Sequence, residues 1–402
     1  MFIILNYTIH IGDIILKNIR IVVCGLGFAG LSFIKNIVGY INDIELVVID
    51  KNPFHYLQPE VYKYIANEKL ISDIILDLQF ILSKISTRIK FINGKVENIN
   101  LEENIVYTKN QEVKYDYLVL ALGSKTFFPP SIKNLKNFSA GVKSIERAMY
   151  FKQSFEKLIL KKMKEEQSCL NKSFNIVIGG GGLSGIEIAS EMAVFQRRIF
   201  EDIGCCVRRT EIFVVEALPN ILYGLDEFII ENSLNRLKEL GITILTNKKI
   251  VSVSKDKVHF ENNKYIETDF IIWTGGIIAN NPIKDKVETN RKFQIKVDRY
   301  FRVNGIENVF AIGDCAEIVD FETGTVLPAT ADTSIQAGRA VAKHISSTLE
   351  SRKLEPIRIT SKGLIVSLGN NYAVGKIKNI RFKGYIAHLI KEFIFSKYKK
   401  SL

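Results

Sequence analysis

Two glycine runs of one kind stand about 155 residues apart, each between an apolar segment and a later acid. In the first, Ile19-Arg20-Ile21-Val22-Val23-Cys24 leads into Gly25-Leu26-Gly27-Phe28-Ala29-Gly30, and Leu46-Val47-Val48-Ile49 ends on Asp50. In the second, Asn175-Ile176-Val177-Ile178 leads into Gly180-Gly181-Gly182-Leu183-Ser184-Gly185, and Ile212-Phe213-Val214-Val215 ends on Glu216. The chemistry such a run can do is to hold a pyrophosphate. The first glycine permits the tight turn out of a strand, the second lets the backbone approach the ligand, and the third lets a helix pack against the sheet. The helix N-terminus then offers free N–H groups and a favourable dipole. The acid at the next strand tip accepts hydrogen bonds from ribose hydroxyls. A single run is weak evidence, whereas two in the same strand–turn–helix setting point to two dinucleotide sites. A chain with two such sites can hold a flavin and a nicotinamide together and pass electrons between them.

The elements that position these runs follow an α/β pattern. Strand and helix signals alternate from Ile19 to about Gly123, where Tyr117-Leu118-Val119-Leu120-Ala121-Leu122 reads as a buried strand closed by Gly123. Residues 146–172 predict a long lysine-rich amphipathic helix. Asp269-Phe270-Ile271-Ile272-Trp273-Thr274-Gly275-Gly276 closes the second unit as the Tyr117 strand closes the first, so the two units share one plan. Asp50 lies 20 residues past Gly30, the usual spacing, but Glu216 lies 31 past Gly185. A longer helix or an insertion is therefore expected between Phe195 and Thr210. Asn308-Val309-Phe310-Ala311-Ile312-Gly313-Asp314-Cys315-Ala316 reads as a further strand running into a loop, with a helix from about Ala331 to Leu349. Beyond Lys353, Leu364–Gly369 and Tyr372–Gly375 suggest a short hairpin. A last helix spaces Ile386, Leu389, Ile390, Phe393 and Ile394 on one face, with His388, Lys391, Glu392 and Lys397 on the other.

Composition narrows the class. The 402 residues allow two or three domains, and 47% hydrophobic with 24% charged residues is ordinary for a globular protein. No run of about 18 apolar residues predicts a spanning helix. Residues 1–18 read as a loosely attached extension rather than a signal peptide. The five cysteines (Cys24, Cys169, Cys205, Cys206 and Cys315) form no CxxC pair, which argues against a disulfide framework, a metal centre or a dithiol relay and fits a reduced, cytoplasmic setting. The net charge of +12 is uneven: after Gly375 there are eight Lys/Arg and one acid. Such a tail suits an anionic surface, either a membrane or nucleic acid. It has no aromatic-basic recognition module, so no nucleic-acid partner is expected. For the last helix, packing on the protein's own core competes with lying in a membrane interface, and the terminal Lys397-Tyr398-Lys399-Lys400 favours the membrane.

From residue 19 to about 345 the chain resembles the two-dinucleotide flavoproteins. More narrowly it resembles the type II NADH dehydrogenases (NADH:quinone oxidoreductases) and the related sulfide:quinone oxidoreductases. The narrower likeness rests on Asp50-Lys51-Asn52-Pro53-Phe54-His55-Tyr56-Leu57-Gln58-Pro59-Glu60-Val61-Tyr62, Gly185-Ile186-Glu187-Ile188-Ala189-Ser190-Glu191, Gly313-Asp314-Cys315-Ala316 and Pro328-Ala329-Thr330-Ala331-Asp332-Thr333-Ser334-Ile335-Gln336. The resemblance implies two Rossmann-like domains plus a small C-terminal membrane- and quinone-associated region. The FAD domain would comprise 19–145 and 291–350, interrupted by an NAD domain at 146–290 and followed by a C-terminal region at 351–402. It implies that Gly25, Gly27, Gly30, Asp50, Gly123, Gly313 and Asp314 hold FAD, and that Gly180, Gly182, Gly185 and Glu216 hold NADH. Glu187 would lie where nicotinamide and flavin meet, and Gln336 near a quinone head. The flavin would carry the redox chemistry.

One position departs from the family pattern. Asp332 stands where the dehydrogenases carry the first of two glutamines, so it could give a proton to quinone or mark another acceptor. A sulfide:quinone oxidoreductase is the rival enzyme, but it needs cysteines flanking the flavin and none follows Cys315. A low-turnover flavin and NADH sensor is a reading from a different class. The expected setting is peripheral, on the cytoplasmic face of the cell membrane, with a homodimer left open.

Overall fold

β-branched and leucine-rich runs build two separate parallel sheets in the computed structural model, which describes residues 19–41, 44–165, 174–203 and 210–402. The expected extension at 1–18 lies outside the described residues. In the first unit, β1 (Ile19–Cys24) pairs with β2 (Ile44–Asp50), and β2 pairs with β3 (Lys90–Asn93). On its other side β1 pairs with β4 (Tyr117–Leu120). Helix α1 (Phe28–Tyr40) joins β1 to β2 and buries Leu31, Phe33, Ile34 and Ile37 on the sheet.

Helix α2 (Ile145–Glu165) leads to the second unit and buries Phe151 and Phe155. The remainder of its expected span, 166–172, lies outside the described residues. The second sheet comprises β5 (Phe174–Gly179), β6 (Thr210–Val215), β7 (Ile242–Leu245) and β8 (Phe270–Trp273), all parallel, in the order β7-β6-β5-β8. Helix α3 (Leu183–Ile203) runs 21 residues, so part of the long spacing to Glu216 is a longer helix. Helix α4 (Glu227–Glu239) is capped by Asp226, whose side chain accepts from Phe228 N. Each unit also inserts a three-stranded antiparallel meander: 96–114 just before β4 in the first and 250–267 just before β8 in the second.

Strand β9 (Val309–Ala311) returns to pair with β4 at the edge of the first sheet. Helix α5 (Ala331–Leu349) follows, with a capping box between Thr330 and Thr333. It lies close along α1: Ser32 Oγ donates to Ile335 O at 2.7 Å, and a Cβ on Gly338 would stand 2.3 Å from Ala29 O.

The C-terminal region differs from the expected hairpin. It is a meander of three strands, β10 (Gly363–Ser367), β11 (Ala373–Ile377) and β12 (Ile380–Gly384), followed by α6 (Tyr385–Lys400). The third strand alternates Ile380, Arg381, Phe382 and Lys383, a period-2 signal too short to stand out.

Candidate functional site

The two glycine runs adopt one geometry, residue for residue. Gly25 and Gly180 have φ of +101° and +112°, a region that disfavours side chains. Their N–H groups donate to Ile49 O and Val215 O, each at 2.8 Å. Cβ atoms on Gly30 and Gly185 would stand 2.0 Å from Gly25 O and Gly180 O, so both third glycines are required by close packing. Cβ atoms on Gly27 and Gly182 would meet nothing within 4 Å. The open space therefore lies at the second glycine, which is where a turn of this kind can admit a pyrophosphate.

The acids match as well. Asp50 Oδ2 accepts from Leu26 N at 2.7 Å and Oδ1 from Asn52 N at 2.8 Å. Glu216 Oε2 accepts from Gly181 N at 2.7 Å and Oε1 from Leu218 N at 2.8 Å. Each carboxylate is thus clamped beside its own glycine turn. Burial raises the Asp50 pKa above the ordinary carboxyl value, against the opposing pull of those N–H bonds and the Lys51 charge. The segment after Glu216 also has a neighbour that the sequence did not suggest. Lys248 N donates to Glu216 O at 3.0 Å, which places an exposed lysine from the loop after β7 alongside.

Gly313, with φ of +70°, lies against α1, and a Cβ there would stand 3.0 Å from the Ala29 side chain. The adjoining Asp314 Oδ2 accepts from Ser124 Oγ at 2.7 Å and Lys143 Nζ at 2.8 Å. Ser124 follows Gly123, so the first unit's expected residues converge here. Burial alone would raise the Asp314 pKa, but the Lys143 charge and these hydrogen bonds outweigh it and hold it below the ordinary value. Lys143 also donates to Gln58 Oε1 at 2.9 Å, bridging the segment after Asp50 to the Gly-Asp turn. Lys143 and Ser124 belong to no sequence motif, and only the fold brings them in.

Glu187 stands apart from both acids, one turn into α3. Its Oε1 accepts from Ser367 N at 3.1 Å and from Lys391 Nζ. Lys391 is buried and lies 4.8 Å over the Tyr62 ring, and Tyr62 OH meets Ser367 Oγ at 2.9 Å. One turn further, the buried Glu191 carboxyl is pushed up to about 8, by burial first and then by Glu68, against Lys63 and Lys391. Its Oε2 has no hydrogen-bond partner among the described residues.

Asp332 and Gln336 open α5. Gln336 Nε2 donates to Asp332 Oδ2 at 2.9 Å and to Thr360 O at 2.8 Å. Both partners can only accept, which fixes the amide orientation. Asp332 Oδ2 also accepts from Lys362 N at 3.2 Å. The pair thus staples the chain entering β10 to the start of α5.

Helix α6 does not bury its apolar stripe on the protein's own core. The side bearing Lys391 and Glu392 is turned inward, where Glu392 pairs with Lys63 and, at 3.3 Å, with Lys69. The apolar stripe is turned out: Ile386, Leu389, Phe393 and Ile394 are 66%, 47%, 67% and 46% exposed. Nearer its end, Tyr398 OH stands 3.0 Å from His55 Nε2, while His55 Nδ1 meets Leu26 O at 3.2 Å. A carbonyl can only accept, so Nδ1 carries the proton and Nε2 accepts from Tyr398. Burial pushes His55 down to about 4, and the ring is a neutral, satisfied link.

Cys24 and Cys315 are buried, and burial pushes both thiols up, Cys315 to about 11. Cys169, Cys205 and Cys206 lie outside the described residues.

The model of the pyridine nucleotide-disulphide oxidoreductase family matches residues 19–338, four-fifths of the chain. Among curated relatives, a type II NADH:quinone oxidoreductase of Staphylococcus aureus (strain MSSA476) is 24% identical over 386 residues, covering 93% of this chain and 94% of the relative. Among solved structures, NDH2 from Plasmodium falciparum in complex with NADH superposes with a TM-score of 0.84 at 18% identity, covering 95% of both chains. The sulfide:quinone oxidoreductase of Aquifex aeolicus gives 0.78 at 21% identity, covering 94% of this chain and 90% of that one.

Proposed function

We propose, for a chain that belongs to the pyridine nucleotide-disulphide oxidoreductase family, that it is a flavin-linked oxidoreductase passing electrons from NADH to a membrane quinone. The observation that carries this reading is the doubled cradle, in which two turns of one geometry each leave space at the second glycine and clamp an acid beside it. The near full-length likeness to a type II NADH:quinone oxidoreductase supports the assignment of donor and acceptor. A bound FAD would supply the redox chemistry, accepting hydride equivalents from NADH and handing electrons to the acceptor.

The chain's own residues bind and orient. Gly25, Gly27, Gly30 and Asp50 would hold the adenosine half of FAD, and Asp314, kept ionised by Lys143, would accept from a ribityl hydroxyl. Gly180, Gly182, Gly185 and Glu216 would hold NADH. Glu187 would face the nicotinamide with its charge balanced by Lys391. At the acceptor end, Asp332 would hold the Gln336 amide in place, through the hydrogen bond from Gln336 Nε2.

No described helix is long and apolar enough to cross a membrane. Contact would instead be peripheral, at an anionic cytoplasmic leaflet. The outward stripe of α6 would enter the interface, with Lys397 and Lys400 near headgroups. A sulfide donor has less support, because both described cysteines are buried thiols.

Anaerobic stopped-flow mixing of the FAD-loaded protein tests the reading. NADH should bleach the flavin, a water-soluble quinone should restore its colour, and sulfide alone should do nothing. Bleaching by sulfide, or failure of quinone to reoxidise, would sink it. NADH should also exceed NADPH in kcat/KM, because Glu216 would repel a 2′-phosphate. Equal values would mean that Lys248 offsets that acid.

A further inference from the structure

Between α4 and the C-terminal meander, outside both cradles, lies a cleft of about 540 Å³. Its walls carry Arg236, Lys238 and Lys383 against one acid, Glu239. Arg236 is fixed in place: it pairs with Glu239 at 2.9 Å, donates through Nε to Leu368 O at 3.3 Å, and lies 4.9 Å over the Tyr372 ring. Lys383 Nζ donates to Asn232 Oδ1 at 2.8 Å, which leaves further N–H groups for a ligand. Lys238 makes no ion pair with any described residue. With Glu239 matched by Arg236, neither Lys238 nor Lys383 has a carboxylate partner among the described residues, and the partial negative charge at the C-terminal end of α4 still leaves a net positive surplus in a cleft large enough for a small ligand. That surplus suits a phosphate group.

The position of the cleft narrows the source of the phosphate. Lys383 on one wall is two residues before Tyr385, where α6 begins, so their Cα atoms are at most about 7 Å apart. Tyr385 and Ile386 are 61% and 66% exposed and open the outward stripe. A cationic cleft therefore adjoins an exposed apolar surface.

We infer that this cleft binds the phosphate of an anionic lipid headgroup while the neighbouring α6 stripe enters the membrane interface. The inference rests on the reading of α6 as a membrane contact. Free phosphate esters share the same recognition chemistry, and the test separates the two sources.

Flavin-loaded protein is mixed with vesicles of phosphatidylcholine alone or doped with phosphatidylglycerol, and bound protein is measured by flotation. The Lys238→Gln/Lys383→Gln variant should bind the doped vesicles about 30-fold more weakly, roughly fivefold per lysine. Its NADH turnover with a soluble quinone should be unchanged. Removing the same charge elsewhere, by Lys255→Gln/Lys264→Gln, should leave flotation intact. Glycerol phosphate should quench binding to doped vesicles more than chloride at equal ionic strength, and that difference should vanish in the cleft variant. Flotation of the cleft variant equal to that of the unmodified protein overturns the inference. Leu389→Ser/Phe393→Ser tests α6 separately and should lower binding to both vesicle types. If the unmodified protein binds no vesicle yet takes up glycerol phosphate through Lys238 and Lys383, the membrane reading fails and the cleft is a site for free phosphate esters.

Discussion

Gly27 and Gly30 lie three residues apart in one turn and should respond to a side chain in opposite ways. A Cβ on Gly30 would strike Gly25 O, so Gly30→Ala should destabilise the whole protein by several kcal/mol, on the order of 3. A side chain on Gly27 meets no protein atom. Gly27→Val should therefore keep the parent's thermal unfolding as apoprotein and lose the yellow flavin. Retained flavin in Gly27→Val would show that the pyrophosphate does not pass there. Glu191 offers a pH test. Its folded pKa, about 8, lies above the ordinary carboxyl value, so the folded state holds a proton that the unfolded chain releases. Stability should fall as pH rises from about 4.5 to about 8, then level off. Glu191→Gln should remove that slope and gain on the order of 4 kcal/mol at pH 8 and little at pH 4. Denaturant unfolding at the two pH values measures it, and an equal gain at both would mean that the carboxyl is not held neutral.

Among the elements, α6 shows what a periodic pattern can and cannot reveal. The spacing of Ile386, Leu389, Phe393 and Ile394 fixes a stripe but not which way it points. Direction is decided by partners far away in the chain: Lys63, Lys69 and Glu187 hold Glu392 and Lys391 inward. The glycine turns and their acids were legible because each turn is local and its steric demand falls on residue type. Lys143, Ser124 and Tyr398 were not, since nothing near them in sequence signals the Asp314 or His55 they reach. The inward pair makes a sharp forecast. Lys391→Met leaves the largely enclosed Glu187 carboxylate without its ammonium and should cost about 2–3 kcal/mol of stability. Adding Glu187→Gln should restore much of that loss. If Lys391→Met unfolds at the parent's denaturant midpoint, the pair is too well hydrated to matter.

At the scale of the whole molecule, the first sheet is completed by a strand that follows the entire second unit in sequence. We expect residues 19–145 alone to be unfolded by circular dichroism, because they lack β9 and the α5 surface that covers α1. A chain joining 19–145 directly to 291–350 should fold and bind flavin, and its failure to do so would show that the two units depend on each other. The last helix touches both units at once. Lys391 reaches Glu187 at the second turn, and Tyr398 reaches, through His55, the carbonyl of Leu26 inside the first. If bedding α6 into a surface shifts Lys391 or Tyr398 and that shift alters the cradle it reaches, the affinity for that cradle's nucleotide changes with it. Linkage then requires the converse: occupancy of the cradles must alter the grip on the surface by the same factor. The terminal helix would make adhesion and nucleotide occupancy two readings of one equilibrium.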